Sequence, residues 1–272
     1  MKIFKKKRIL QKNIGNEKNL SFVPTMGALH KGHEYLIKNA KKKYKKVIVS
    51  IFVNPKQFNS ISDFKNYPKN IHKDINLLKR LKVNYLYLPS YSDLFSLKVK
   101  RKIYLDKFSK DLCGKFRPNH FRGVINVINR LLEIIKPKSI ILGKKDFQQL
   151  YLIKKYIEKY KIKTTVIGCN TIREKNGVAC SSRNKKLTLY ELDLASKVFK
   201  LLRTEKKRLK KEAYFYFDKN KILNKIKVLG VKKVDYIKCL DLNKLNKAKR
   251  SKSNFNIFIA YYLNKTRLID NL

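Results

Sequence analysis

Two histidines three residues apart, His30 and His33, are the side chains whose spacing most clearly suggests chemistry. They follow a short apolar run at residues 20–23 that is typical of a buried strand, and they precede apolar residues spaced as on one helix face. Backbone N–H groups and the positive end of the helix dipole favour an anion at such a helix start. Gly27 and Gly32 let the backbone approach a ligand closely. The pattern predicts a phosphate-binding turn.

Two other uses of these histidines stay open, as ordinary polar residues or as metal ligands. A catalytic zinc site needs a third protein ligand, and the sequence has two further histidines, His72 and His120. The four cysteines lie far apart and form no Cys-x-x-Cys pair, which indicates reduced thiols rather than a disulfide framework or a zinc ribbon. We expect no metal site.

The composition is that of a globular protein. With 272 residues, 43% of them hydrophobic, the chain can bury a core in one large domain or two. No apolar run approaches the roughly 18 to 20 residues of a membrane span, and no apolar signal core follows the basic N-terminus. We expect a cytoplasmic protein with no membrane partner.

The formal net charge of +48 would ordinarily indicate a nucleic-acid partner. Lysine, however, is scattered through every segment rather than gathered in one basic stripe. Asn, Ile, Tyr and Phe are also plentiful while Trp is absent, which is the pattern of an AT-rich coding sequence. We expect weak, nonspecific polyanion binding and no specific nucleic acid. A lysine-rich nucleic-acid-binding protein is the rival hypothesis from another class.

Strand candidates alternate with helical patterns through the first two thirds of the chain. Later strand candidates lie at residues 47–53, 84–88, 139–142 and 164–167. The clearest helix has apolar residues from Val124 to Ile135 at helical spacing and stops near Pro137. A second places Leu150, Ile153 and Ile157 on one face. This alternation predicts an α/β fold with a doubly wound parallel sheet.

Ligands of such a sheet bind beyond the carboxyl ends of its strands. His30 and His33 follow the first apolar strand, Gln57 follows the second, and Asp146 follows a later one. We therefore expect these polar residues to lie at the same edge of the sheet.

The rhythm changes after about Thr171. A helix-like stretch follows Thr188, with Glu191 placed to complete a capping box, and a lysine-rich segment at residues 206–211 comes next. Two strand-like runs then lie at residues 231–239 and 255–263. We expect a smaller α+β domain here.

Five segments resemble one protein family. The stretch Pro-Thr-Met-Gly-Ala-Leu-His-Lys-Gly-His at residues 24–33 is similar to the signature of the pantothenate synthetase (pantoate–β-alanine ligase) family, within the His-x-Gly-His nucleotidyltransferase superfamily. The other segments are Phe-Val-Asn-Pro-Lys-Gln-Phe at 52–58, Gly-Lys-Lys-Asp-Phe-Gln-Gln at 143–149, Ser-Ser-Arg-Asn at 181–184 and Lys-Thr-Arg-Leu-Ile-Asp-Asn at 265–271. The resemblance runs nearly end to end.

The resemblance implies a Rossmann-like, nucleotide- and pantoate-binding domain at residues 1–172 and a smaller lid domain at 173–272 that closes over the nucleotide. It implies ATP-dependent condensation of pantoate with β-alanine through a pantoyl adenylate, with Mg²⁺ accompanying ATP, and a homodimer. Another nucleotidyltransferase-like adenylating enzyme is the nearest alternative. The segments around Gln57 and Gln149 argue against it, because the generic superfamily signature does not include them.

The resemblance also implies catalytic roles for three residues. His30 and His33 donate hydrogen bonds to the phosphates, with His33 as the proton donor, and Lys145 supplies a counter-charge. The implied ATP-binding residues are Met26, Gly27, Ala28, Leu29, His30, Lys31, Gly32, His33, Gly143, Lys144, Lys145, Asp146, Ile172, Cys180, Ser181, Ser182 and Arg183.

Gln57 and Gln149 are the implied pantoate ligands, because amides donate and accept hydrogen bonds without adding charge. Arg117 is expected to position β-alanine or to close the site. Two local alternatives stay open. Asp146 either caps the following helix or holds a ribose hydroxyl, and a serine of the 181–183 segment either clasps phosphate or caps a helix.

Three residues depart from the family pattern. Lys144 stands where the family generally has glutamate, Asn176 where aspartate is common, and Asn119 where glycine is frequent. None of these changes removes a group with an implied catalytic role. Lys144 alters the electric field beside the phosphates, so it affects kinetic constants rather than the activity itself.

Overall fold

A computed structural model of the chain describes residues 1–58, 61–212 and 215–272. These residues form two compact units, Met1–Thr171 and Ile172–Leu272. Within the described ranges, none of the helices combines the length and the apolar character needed to cross a bilayer.

The first unit is built on a parallel sheet. Its strands, over the described residues, are β1 (Lys2–Phe4), β2 (Leu20–Thr25), β3 (Lys46–Ile51), β4 (Tyr85–Tyr87), β5 (Ser139–Gly143) and β6 (Thr165–Cys169). They lie in the order β1-β4-β3-β2-β5-β6, and each neighbouring pair is parallel. The predicted α/β fold with a doubly wound sheet is confirmed. The short edge strand β1 has no sequence signal of its own.

The central strands are buried on both faces. Phe22 and Val23 of β2, like Val49 of β3, have no solvent exposure. A strand covered on both faces is apolar throughout rather than alternating, which explains the continuous apolar runs in the sequence. Where β2 pairs with β5, the buried hydroxyls of Ser21 and Ser139 bond to each other at 2.9 Å.

Helices of this unit lie between the strands in the chain. They are α1 (Lys7–Ile14), α2 (Lys31–Lys43), α3 (Ile61–Lys65), α4 (Ile71–Arg80), α5 (Tyr91–Phe95), α6 (Leu112–Phe116), α7 (His120–Ile135) and α8 (Phe147–Lys159). Helix α7 is the one predicted from apolar spacing. It ends at Ile135, and its C-cap Lys136 has a left-handed backbone (φ 47°) and precedes Pro137.

The order of the strands locates the crevice of the sheet. The chain adds β3 and β4 on one side of β2, and then β5 and β6 on the other side. The order therefore reverses between β2 and β5, and ligands of doubly wound sheets bind outside the carboxyl ends of the strands at this point. The turns at residues 26–30 and 144–146 follow these two strands.

The second unit contains two α-helices, a short 3-10 helix and an antiparallel sheet over its described residues. The elements are α9 (Leu189–Lys211), α10 (Lys219–Val228), β7 (Lys233–Asp241), β8 (Phe255–Leu263) and β9 (Thr266–Asn271), with the sheet order β7-β8-β9. Thr188 and Glu191 form the predicted capping box at the start of α9. The lysine-rich segment at 206–211 forms the last turns of α9, with Leu209 in the core.

Candidate active site

The turn between β2 and α2 carries most of the predicted site residues. Gly27, Ala28 and Leu29 are buried, Met26, His30, Gly32 and His33 are half-buried, and Lys31 is exposed. His30 is the N-cap of α2 and forms a capping box with His33. The His30 Nδ1 atom accepts the N–H of Gly32 at 3.1 Å, and the His33 Nδ1 atom accepts the N–H of His30 at 3.3 Å.

These bonds assign the protons on both rings. A neutral imidazole has one N–H donor and one acceptor nitrogen, so a ring that accepts at Nδ1 carries its proton on Nε2. The two rings lie beside each other, with centroids 4.1 Å apart. His30 and His33 are therefore adjacent groups whose N–H donors are both at Nε2.

His33 is neutral at pH 7. Withdrawal of its imidazole from water lowers its pKa to about 4, and the positive charge of Lys145 acts in the same direction. At neutral pH the ring therefore donates a hydrogen bond without carrying a charge. A bound anion would raise this pKa again and make the same ring a better proton donor.

The backbone of this turn is held by a carboxylate that the sequence reasoning missed. Asp74 of α4 is 4% exposed and accepts the N–H of Ala28 at 2.9 Å and that of Leu29 at 2.8 Å. The N–H groups of His30 and Gly32 are accepted by imidazoles. The N–H groups of these four residues thus have acceptors within the protein, so an anion site on the backbone N–H groups stays a prediction, and the ring Nε2–H groups are further candidate donors.

One sequence signal could have identified Asp74. It lies three and four residues before Leu77 and Leu78, the two buried leucines of α4, and so belongs to the apolar face of that helix. A carboxylate is almost never fully buried without a partner. An acid on a buried helix face therefore predicts a nearby donor, although not which one.

The turn after β5 places charged groups at the same edge of the sheet. Lys145 is 3.8 Å from Asp146, and its side chain is 18% exposed. Asp146 precedes α8 but makes no capping hydrogen bond, which removes one of its two expected roles. The Lys144 ammonium donates to Asn170 Oδ1 at 2.9 Å. A Cβ added at Gly143 would meet none of the described atoms within 4 Å, so this turn has space beside it.

The segment that carries Gln57 is held by Arg117, which follows α6, and by the first turn of α7. The carbonyl oxygen of Gln57 accepts from Arg117 Nη2 at 2.9 Å and lies 2.7 Å from His120 Nδ1. Asn54 is fully buried and donates to the Gly123 carbonyl at 3.2 Å. A Cβ at Gly123 would lie 2.6 Å from the Lys56 carbonyl oxygen. Arg117, expected at β-alanine, thus bonds the backbone of a predicted pantoate ligand.

Asn119 begins α7 with a left-handed backbone, at φ 62°. Among residues other than glycine, asparagine adopts this conformation most readily. The frequent glycine of the family is therefore replaced here by a residue that can keep the same backbone.

The two adjacent glutamines of α8 face different surroundings. Gln148 is 6% exposed and makes three hydrogen bonds: it donates to the carbonyls of Phe108 (2.6 Å) and Asp111 (2.8 Å) and accepts from the N–H of Cys113 (3.0 Å). Gln149 is half-buried. Gln148 holds the 108–113 segment, whereas Gln149 stays a predicted pantoate ligand.

The second unit carries the remaining predicted residues in a turn of its own. Half-buried Ile172 accepts the N–H of buried Cys180 at 2.9 Å, and Ser182 is buried. Ser181 caps the short 3-10 helix at Ser182–Lys186 and accepts the N–H of Arg183 at 3.2 Å. The capping alternative is therefore the observed role of Ser181. Asn176 accepts the N–H of Val178 at 3.1 Å, as an aspartate would.

All four cysteines are buried thiols without a disulfide. Across the ranges that the structure describes, no group of three or more His, Cys, Asp or Glu side chains is placed to hold a metal ion.

The doubly wound sheet, with its polar residues at the carboxyl ends of β2 and β5, is typical of nucleotide-binding α/β proteins. Comparison with known proteins identifies the family within this class. The family model of pantoate–β-alanine ligase matches residues 2–272. The pantothenate synthetase of Francisella philomiragia is 39% identical over 267 residues, which cover 97% of this chain and 92% of that protein.

Solved structures agree with this result. A Francisella tularensis pantoate–β-alanine ligase, complexed with β-γ ATP and β-alanine, is 38% identical with a TM-score of 0.83 over 100% of this chain and 97% of that one. A Thermus thermophilus pantothenate synthetase is 26% identical with a TM-score of 0.91, covering 100% and 99%. The chain belongs to the pantoate–β-alanine ligase family.

Proposed function

We propose that this protein is an ATP-dependent ligase that joins pantoate to β-alanine and releases AMP and pyrophosphate. The observation that carries the proposal is the pair of Nε2–H donors of His30 and His33 next to Lys145, at the switch point of a doubly wound sheet. Family membership over nearly the whole chain supports the substrate assignment.

The first step forms an adenylate. A pantoate carboxylate oxygen attacks the α-phosphorus of ATP, a new O–P bond forms, and the bond to pyrophosphate breaks. Negative charge develops on phosphate oxygens during this step. His30 and His33 donate hydrogen bonds to those oxygens, and Lys145 supplies positive charge; such oriented groups stabilise a transition state without having to reorganise.

The second step forms the amide bond. The amine of β-alanine attacks the acyl carbon of pantoyl adenylate, AMP leaves with the electron pair of the C–O bond, and the amine loses a proton. No covalent enzyme intermediate is needed. The protein aligns the two reactants, which by itself accounts for a large share of the acceleration in such reactions.

Pantoate is proposed to bind Gln57 and Gln149. The clamp of Arg117 and His120 on the Gln57 carbonyl, and the inward anchoring of neighbouring Gln148, support this assignment because each fixes the backbone beside one of the two ligands. Arg117 thus affects substrate binding through Gln57, and direct contact of Arg117 with β-alanine stays a prediction.

The nucleotide is proposed to bind the turn at Met26–His33 and the turn at Gly143–Asp146, with the Asp146 carboxylate on a ribose hydroxyl. The open space beside Gly143 and the absence of a capping bond at Asp146, within the described residues, support this role. From the family resemblance, Ile172 and the 180–183 segment are proposed to contribute further nucleotide contacts, with residues 173–272 as the lid domain.

Mg²⁺ is proposed to enter as part of the MgATP substrate. The protein is proposed to act in the cytoplasm as a homodimer.

The net positive charge of the protein is proposed to have no specific nucleic-acid target. Binding to several unrelated oligonucleotides should be sequence-blind and weaken steeply with salt, because it would rest on counterion release alone.

One assay tests the proposed function. AMP formation is measured from MgATP with pantoate and β-alanine present, and then with each omitted in turn. Sustained AMP formation should require both, while exchange of labelled pyrophosphate into ATP should require pantoate alone. Exchange in the absence of pantoate, or turnover with a different acid at equal efficiency, would show that the substrate assignment is wrong.

A further inference from the structure

Asp74 connects an outer helix to the turn that carries the two histidines. Its carboxylate, 4% exposed, accepts the N–H groups of Ala28 and Leu29 through different oxygens, Oδ2 at 2.9 Å and Oδ1 at 2.8 Å. The two partners lie 46 and 45 residues away in the chain. A buried carboxylate holding two consecutive backbone N–H groups is a strong, charge-assisted restraint on a turn.

The turn needs such a restraint because its backbone is unusual. Gly27 has φ 78° and Ala28 has φ 50°, so two consecutive residues lie in the left-handed region. Glycine adopts this region freely, whereas alanine does so at a steric penalty. The N–H group of Ala28 is one of the two that Asp74 accepts, so the carboxylate bonds to the strained residue itself.

The consequence for the site follows from the order of the chain. Leu29, the second partner of Asp74, immediately precedes the N-cap His30, whose ring and that of His33 form the capping box. A shift of the Ala28 or Leu29 backbone would therefore move the start of α2 and both Nε2–H donors together.

We propose that Asp74 is the positioning residue of the nucleotide site: it holds Ala28 and Leu29 so that His30 and His33 meet the phosphates of ATP. This inference rests on the proposed function. In this role Asp74 acts through the backbone of Ala28 and Leu29 rather than by contact with a substrate. Its loss should therefore impair ATP use selectively, in addition to any loss of stability.

Asp93 provides a matched control for a purely structural carboxylate in the same unit. Its side chain also accepts a distant backbone N–H group with both oxygens, that of Lys7 at 3.0 and 3.3 Å, and it accepts the Tyr87 hydroxyl at 2.8 Å. Replacement of either acid by Asn keeps the size and removes one acceptor, because an amide –NH₂ cannot accept a hydrogen bond.

The experiment compares Asp74→Asn with Asp93→Asn. ATP affinity is measured by calorimetry, and kcat and KM for each substrate are measured by AMP formation. Thermal stability is measured as the melting temperature. Asp74→Asn should raise the Kd and KM for ATP and lower kcat, each by about tenfold to a hundredfold, the scale of a small misplacement of reacting groups. Asp93→Asn should lower the melting temperature and leave the ATP parameters within about twofold of wild type.

A second substitution separates positioning from general destabilisation. In the double variant Asp74→Asn, Ala28→Gly, glycine adopts the left-handed backbone without assistance, so a substantial part of the ATP affinity and kcat should return. If the Asp74→Asn protein does not fold, the Gly27→Ala variant is measured in its place. Its Cβ would lie 3.0 Å from Asp74 Oδ2 in a left-handed backbone, and it should show the same selective loss for ATP.

Two results would overturn the inference. One is an Asp74→Asn or Gly27→Ala protein whose ATP parameters match those of wild type. The other is an Asp74→Asn loss that is spread equally over ATP, pantoate and β-alanine and that Ala28→Gly does not reduce. A wild-type protein that binds ATP but does not form pantothenate would contradict the proposed function, while calorimetry would still test the role of Asp74.

Discussion

The His33 Nδ1 atom accepts the backbone N–H of His30 at 3.3 Å, and this single bond joins the start of a helix to the position of the ring proton on a proposed catalytic group. Capping boxes usually pair a serine or threonine with a glutamate or glutamine. Here two imidazoles make the same bonds, so the geometry that begins α2 also requires the ring protons to be on Nε2. The helix start and the proposed phosphate donors are one arrangement.

Replacing His33 by Ala should slow pantoyl-adenylate formation by about 10²- to 10³-fold, the usual effect of removing one oriented donor. His33→Gln should retain more activity, because its amide can accept the His30 N–H and still donate. The measurement is pantoate-dependent exchange of pyrophosphate into ATP. A wild-type exchange rate in His33→Ala would exclude the residue from the mechanism.

The lowered pKa of His33 should make stability depend on pH. Between pH 6.5 and about 4 the unfolded chain binds a proton at this residue that the folded chain does not, so the free energy of unfolding falls as pH falls through this window. Unfolding of wild type and His33→Gln by urea, at several pH values, should show a shallower pH dependence in the variant. Parallel curves would contradict the assignment of a neutral imidazole.

Gln148 and Gln149 should give opposite results when each is replaced by Ala. Gln149→Ala should raise the KM for pantoate by more than tenfold with little change in melting temperature, since a site built to bond hydroxyls discriminates by those bonds. Gln148→Ala should destabilise the fold by about 1 to 3 kcal/mol, because it leaves buried backbone groups unpaired. The reverse pattern would mean that the substrate ligand is Gln148.

A double-mutant cycle tests how Arg117 acts. If it works by holding the Gln57 carbonyl, Arg117→Ala should raise the KM for pantoate, and the effect should largely disappear in a Gln57→Ala background. If Arg117 instead contacts β-alanine directly, Arg117→Ala should raise the KM for β-alanine equally in both backgrounds.

Substitutions of Arg183 and Ser181, both in the second unit, should also give different results. Arg183→Ala should raise the KM for ATP and slow adenylate formation, while a supplied pantoyl adenylate still reacts with β-alanine. Ser181→Ala should chiefly lower stability, by about 1 kcal/mol, because its hydroxyl caps the 3-10 helix. An unchanged first step in Arg183→Ala would show that this segment does not bind phosphate.

Replacing Lys144 by Glu tests the departure from the family pattern. Its ammonium donates to Asn170 at the exposed rim of the turn. The substitution changes the local charge by two units beside the proposed phosphates, so the KM for ATP should rise modestly and more at low salt, where charges are less screened. A KM that is the same at all salt concentrations would show that Lys144 does not influence the nucleotide.

Local patterns were sufficient for most of the fold. Strand β8 has the predicted bounds, and the capping box of Thr188 and Glu191 is present, because hydrophobic periodicity and capping depend on residues close together in the chain. The lysine-rich segment at 206–211 continues α9. Lysine is a good helix former, and one buried face, with Leu209, suffices to continue a helix through a polar segment.

By itself the sequence determined the fold class, the strand, turn and helix around His30 and His33 and, through its motifs, the family. Only the tertiary structure decided that Asp74 holds Ala28 and Leu29, that Arg117 and His120 meet on the Gln57 carbonyl, and that Gln148 rather than Gln149 is anchored inward. The reason is physical: each of these contacts joins segments at least 35 residues apart, and no local periodicity records which distant groups a folded chain brings within hydrogen-bonding distance.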